Sequence, residues 1–184
     1  MIEFVQGNLF NADVEAIVNA VNCVGVMGKG IALEFKKRFP NNFIAYKAAC
    51  NVGQLQLGRV FTYDHGPSAK PRYIVNFPTK NHWRDASHLA DIRTGLESLV
   101  AELDRLSIRS IAIPALGCGL GGMDWQEVRA EIGNRLAACK TSKIMVFEPR
   151  ESFQRNQGSL NGNFGIDSVK GTADGSWGYS AAIH

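Results

Sequence analysis

Short β-branched, apolar runs alternate in this chain with segments whose apolar residues recur every three or four positions, and that alternation is its strongest constraint. The strand-like runs lie near Ile2–Val5, Ala16–Val21, Val60–Tyr63, Tyr73–Phe77, Ser110–Ile113 and Ile144–Phe147. Leu89, Ile92, Leu96, Leu99, Val100, Leu103 and Leu106 predict a helix over 88–106, whose apolar stripe must pack on a sheet. Ile31, Phe35 and Phe39 form a second stripe that Pro40 stops, with Lys36, Lys37 and Arg38 at its negative dipole end. A third helix is expected over 42–51. Asp124-Trp125-Gln126-Glu127 reads as a capping box opening a fourth, to about residue 138. Strands interleaved with helices predict a three-layer α/β/α domain around a central, largely parallel mixed sheet of about six strands. Its ligand site belongs beyond the strands' carboxyl ends.

A chain of 184 residues, 45% hydrophobic, is long enough for one well-buried core. Its net charge of +3 is too small to imply nucleic-acid binding by itself. Cys23, Cys50, Cys118 and Cys139 form no CxxC pair, and the histidines do not cluster near them, so a reduced, cytoplasmic protein with no metal and no cofactor is expected. Glu3 interrupts the apolar start and no later run could span a bilayer, so no membrane partner is expected either. Composition changes after Pro149. Residues 150–184 are rich in Gly, Ser and Asn, and read as a flexible tail or linker after a domain over 1–149.

Three loops follow predicted strands. The first, in "NAVNCVGVMGKGIALEF", places Gly25, Gly28 and Gly30 between a strand end at Asn22 and a helix near Ile31, which aims backbone N–H groups at one point and suits a phosphate. It is not a Walker A loop, since Gly30 follows Lys29 where a hydroxyl should stand, and GxGxxG fails at Leu33. The second is "PALGCGLGGMDW". Simple chain reversal does not need Gly117, Gly119, Gly121 and Gly122 together, and two such loops can clamp a diphosphate. Cys118 within it reads as packing or lining the pocket rather than as a nucleophile, and Asp124 as a helix cap rather than a base. The third, "NFPTKNHWRD", carries Lys80. That lysine is either a solvated surface charge or, if desolvated, a reactive group, while His82, Trp83 and Arg84 offer stacking and phosphate contacts.

Taken in order, "GNLF", "IVNAVNCVGVMGKGIALEF", "FPTK" and "PALGCGLGG" resemble the macrodomain family of ADP-ribose-binding modules, over about Met1 to Phe147. Among macrodomains the chain looks most like the DarG type, antitoxins that remove ADP-ribose from thymidine in DNA and oppose a DarT-like toxin. The resemblance implies ADP-ribose contacts from Asn8 and Leu9, from Asn22 at the distal ribose, and from Gly28, Lys29, Gly30 and Ile31 at the diphosphate. It also implies contacts from Gly117, Cys118, Gly119, Leu120, Gly121, Gly122 and Met123, and a catalytic role for Lys80, beside which Pro78, Thr79, His82 and Trp83 are further candidate contacts. Two departures stand out. Asn8 replaces the aspartate that many macrodomains use at adenine, and Gly121 replaces an acidic residue of the related protein glycohydrolases. The second favours ADP-ribosylated DNA as substrate, with Lys70, Arg72 and Arg84 lining a path for the strand. The alternatives are a non-catalytic ADP-ribose reader and a hydrolase of protein-linked or acetylated ADP-ribose.

Overall fold

A computed structural model describes residues 1–149; the Gly/Ser/Asn-rich tail expected over 150–184 lies outside the described residues. β4 (Tyr73–Lys80) is buried at all eight positions, as a strand covered on both faces requires. It pairs in parallel with β2 (Ala16–Asn22) and antiparallel with β3 (Phe61–Asp64), which forms one edge. Beyond β2 the sheet runs in parallel through β5 (Ser110–Pro114) and β6 (Lys143–Phe147) to β1 (Ile2–Val5) at the far edge. The order β1-β6-β5-β2-β4-β3 is the expected mixed, largely parallel sheet of six strands.

Alternation along the strands sorts the core into layers. Val18, Val75, Phe77, Ile111 and Ile113 face α3 (Leu89–Leu106) and α4 (Trp125–Leu136). Ile17, Ile74, Val21 and Ala112 face the opposite layer, where α1 (Gly30–Arg38) contributes Phe35 and α2 (Pro40–Asn51) contributes Tyr46. The α3 layer approaches closely at one point: a Cβ on Gly95 would stand 2.3 Å from the Phe77 ring.

Two element ends differ from the sequence reading, each for a local reason. Pro40 ends α1 but also opens α2, because proline suits the first position of a helix, where its missing N–H has no intrahelical acceptor. β4 runs past Phe77 to Lys80. β3 pairs with β4 only up to Asn76, and the β2 register shifts so that Val21 faces Pro78 while Asn22 faces Lys80. Proline is tolerated at such a bulge, and the bulge brings Asn22 and Lys80 side by side. Among the described residues no helix is long and apolar enough to cross a membrane, and no group of three or more His, Cys, Asp or Glu could hold a metal ion.

Candidate active site

β5, β2 and β4 are neighbours, so the loops after them emerge together at the sheet's carboxyl end. The loops are also bonded to one another. Cys23 N–H donates to Asn81 O at 2.9 Å, Lys80 reaches the β5 loop, and the Leu120 side chain lies 3.7 Å from where a Cβ on Gly30 would be. The three glycine- or lysine-bearing stretches therefore make one site beyond the carboxyl ends of the interior parallel strands.

Lys80 is only 8% exposed. Its Nζ donates to Asp85 O and to Leu120 O, each at 2.8 Å. Burial pushes its pKa below the ordinary lysine range, with the Asp85 carboxylate opposing the shift. An ammonium carries three donors, and two are held by backbone carbonyls, which leaves one tetrahedral position to direct elsewhere. In the ammonium that position is an N–H; in the neutral amine it is the lone pair. The turn that supplies the Asp85 carbonyl is itself fixed, because His82 N–H donates to Asp85 Oδ2 at 2.8 Å and Asp85 N–H to His82 O at 3.0 Å.

Opposite Lys80, the Asn22 carboxamide folds the turn that follows β2. Oδ1 accepts from Val24 N–H (3.1 Å) and Val26 N–H (3.3 Å), and Nδ2 donates to Val26 O (2.6 Å). Gly28 and Lys29 then lead into α1. No side chain caps the start of that helix, where Gly30 has φ +58°, so the first-turn N–H groups there and at Ile31 offer the polarity an anion needs. Asn8 sits further along the surface with its Oδ1 accepting from Phe10 N–H at 3.1 Å; Leu9 beside it is buried in the core, so only its backbone can meet a ligand. Pro78 and Thr79 are likewise buried within β4.

The β5 loop is shaped by what its glycines exclude. Gly117 and Gly122 have φ of +72° and +74°, which favour glycine. A Cβ on Gly121 would lie 2.3 Å from both Gly117 O and Ser87 Oγ, so the loop as folded admits no side chain there. Ser87 N–H donates to Gly121 O at 3.0 Å, and Lys80 grips the neighbouring Leu120 carbonyl, so β4's loop holds two consecutive peptide units of β5's. Gly119 and the 66% exposed Leu120 form the outer turn, and Met123 returns to the core. Cys118 is 3% exposed and burial pushes its thiol up to about 12, which agrees with packing rather than nucleophilic attack. Asp124 Oδ1 accepts from Gln126 N–H and Glu127 N–H at 2.8 and 3.1 Å, so it caps α4 as expected.

Trp83 is 47% exposed beside Lys80's turn, with the Arg84 guanidinium 4.5 Å from its ring centroid and the His82 ring 5.1 Å away. Val24 and Val26 are also exposed, so with Leu120 an apolar rim surrounds the site. Lys70 and Arg72 do not belong to it. Both precede β4, about 23 Å of strand from Lys80 at roughly 3.3 Å per residue, and they pair with Asp13 (3.5 Å) and Asp64 (3.0 Å). Of the three basic residues expected along a strand path, Arg84 alone stands on a site loop.

Several participants escaped the sequence reading. Asn19, Asn42 and Asn76 are fully buried and joined by hydrogen bonds of 2.8 to 3.3 Å behind the β2 loop. The only signal was asparagine at 19 and 76 inside buried strand runs, where a polar side chain needs a partner; Asn42, on α2, gave none. Tyr46, Asp85 and Ser87 gave no signal, because their contacts are made across the fold.

The macro domain family model matches residues 18–132, and the chain belongs to the macrodomain family. A protein of Thermus aquaticus named DNA ADP-ribosyl glycohydrolase is 53% identical over 152 residues, covering 83% of this chain and 42% of that protein. The chain thus spans less than half the length of that relative. The solved macrodomain of Thermus aquaticus DarG is 54% identical with a TM-score of 0.79, covering 81% of this chain and 99% of that one. Thermosipho africanus DarTG, solved in complex with ADP-ribose, is 32% identical with a TM-score of 0.76, covering 82% of this chain and 42% of that one.

Proposed function

We propose that this chain is an ADP-ribosyl glycohydrolase that removes ADP-ribose from thymidine bases of DNA, acting as antitoxin to a DarT-like DNA ADP-ribosyltransferase. The observation that carries the proposal is Lys80, buried at the meeting point of three loops with two bonds to carbonyls and one position left over. Holding a desolvated ammonium at the site costs stability, and perturbed groups of this kind cluster where chemistry is done, which favours an enzyme over a pure reader of ADP-ribose. The names of the Thermus relative and structure support the linkage class, and the ADP-ribose bound to the Thermosipho protein supports the ligand.

In this reading the first turn of α1 and the β5 glycine loop hold the diphosphate from two sides, Asn8 meets the adenine, and Asn22 meets the distal ribose. Breaking the bond between the anomeric carbon and the thymine nitrogen builds positive charge on the ribose and negative charge on the base. The free Lys80 N–H points at the leaving base and supplies the proton as the bond breaks; water adds to the anomeric carbon, and its proton restores the ammonium. Tight diphosphate binding fixes the ribose in reactive geometry, which can lower a barrier by up to about 7 to 11 kcal/mol. Trp83 and Arg84 sit where neighbouring nucleotides of the strand would pass. The packing of Gly121 leaves no room for the acidic side chain that the resemblance associates with protein substrates.

The test is release of ADP-ribose from a thymidine-ADP-ribosylated oligonucleotide, run beside a Glu-ADP-ribosylated peptide. Release from DNA with a silent peptide is the expected result. Release from the peptide alone would replace the DNA assignment with protein-ester hydrolysis.

A further inference from the structure

α2 presents two buried polar side chains, Asn42 and Tyr46, one turn apart and on one face. Asn42 exchanges hydrogen bonds with Asn76 of β4, at 3.3 and 2.8 Å. Tyr46, with no exposed surface, points its hydroxyl at Asn22: 2.8 Å from the backbone carbonyl and 3.0 Å from Oδ1. Which carboxamide atom of Asn22 is oxygen follows from its other partners, since two backbone N–H groups meet Oδ1 and a carbonyl meets Nδ2, so Tyr46 is the donor. Burial pushes the phenol above its ordinary range, so it keeps that proton at any working pH. Among the described residues no other hydrogen bond joins α2 to the last residue of β2, the point where the strand becomes the ligand-facing turn.

We propose that Tyr46 is a positioning residue, which from beneath the sheet fixes the Asn22 carboxamide and the 22–26 turn for the distal ribose of bound ADP-ribose. The proposal rests on the ADP-ribose reading above. Asn22 Nδ2 has a second hydrogen beyond the one given to Val26 O, and Tyr46, whose hydroxyl is shared between the Asn22 backbone carbonyl and Oδ1, joins the Val24 and Val26 N–H groups in setting the direction in which that hydrogen points. A tyrosine hydroxyl thus acts on the ligand through one intervening side chain.

The experiment is calorimetric titration of ADP-ribose and of ADP, which lacks the distal ribose, into the full chain and its Tyr46→Phe, Asn22→Ala and doubly substituted variants. Melting scans confirm that each variant is folded at the titration temperature. Tyr46→Phe should weaken ADP-ribose about 5- to 10-fold, as loss of one such hydrogen bond does, and change ADP by less than about twofold. In the Asn22→Ala background the same change should cost under about twofold, since the residue it acts through is gone. Equal loss of both ligands would make Tyr46 a support of the whole fold, and unchanged ADP-ribose affinity would show that Asn22 is held without it; either overturns the proposal. If the unsubstituted chain bound ADP but not ADP-ribose, the premise itself would fall, and the proposal with it.

Discussion

At Lys80 the two carbonyl bonds fix where the third position points, so protonation decides what it offers to a substrate. Because burial lowers this pKa, the ammonium loses its proton at lower pH than an ordinary lysine near about 10.4. If the ammonium is the proton donor, single-turnover rates between about pH 6 and 10 hold level and then fall as pH rises through that lowered value. A rate that climbs over the same range would assign the neutral amine as nucleophile or base. Gly121 supports a second prediction. Gly121→Ala sets a methyl against Gly117 O, a backbone atom that cannot turn aside, so the loop must shift and draw the Leu120 carbonyl from Lys80. Turnover should drop by about 100-fold, the scale of a 1 Å misplacement, measured on the modified oligonucleotide. Residues of this kind were only half legible in sequence. Lysine after "FPT" and four glycines near Cys118 marked the places, but the setting of Lys80 depends on a bulge, on the turn that brings back the Asp85 carbonyl, and on Leu120 arriving from the β5 loop.

Elements were easier to read, because period two and period three-to-four patterns survive without tertiary information. The 88–106 helix and all six strands lie where their apolar spacing puts them. What spacing does not carry is how closely elements approach. Gly95 sits inside α3, where glycine costs about 1 kcal/mol relative to alanine, and it stays because the Phe77 ring occupies the space a methyl would take. Gly95→Ala should therefore destabilise the fold by about 1 to 3 kcal/mol, overpacking outweighing propensity, in a urea titration. Stabilisation by that change would mean that α3 rides further from β4. The ends of β4 and α2 were misjudged for a related reason: proline reads as a stop, yet Pro78 lies within a strand at a bulge and Pro40 opens a helix.

For the whole molecule, strand order turns separate motifs into one site. β2 and β4 are apart in sequence but adjacent in the sheet, with β5 on the other side of β2, and no local pattern encodes that adjacency. The order of the motifs did carry it, through resemblance to a family whose fold is already known. The resulting division of labour, with diphosphate loops binding and one lysine reacting, makes a claim about separability. Replacing Lys80 should remove the chemistry and leave the binding. The most direct measurement is therefore Lys80→Ala, assayed for single-turnover ADP-ribose release from thymidine-modified DNA and, on the same preparation, for ADP-ribose affinity by calorimetry. The account predicts that release falls below detection while affinity stays within about threefold, a change of well under 1 kcal/mol. Release that persists in the variant, or affinity and release lost together, would contradict it.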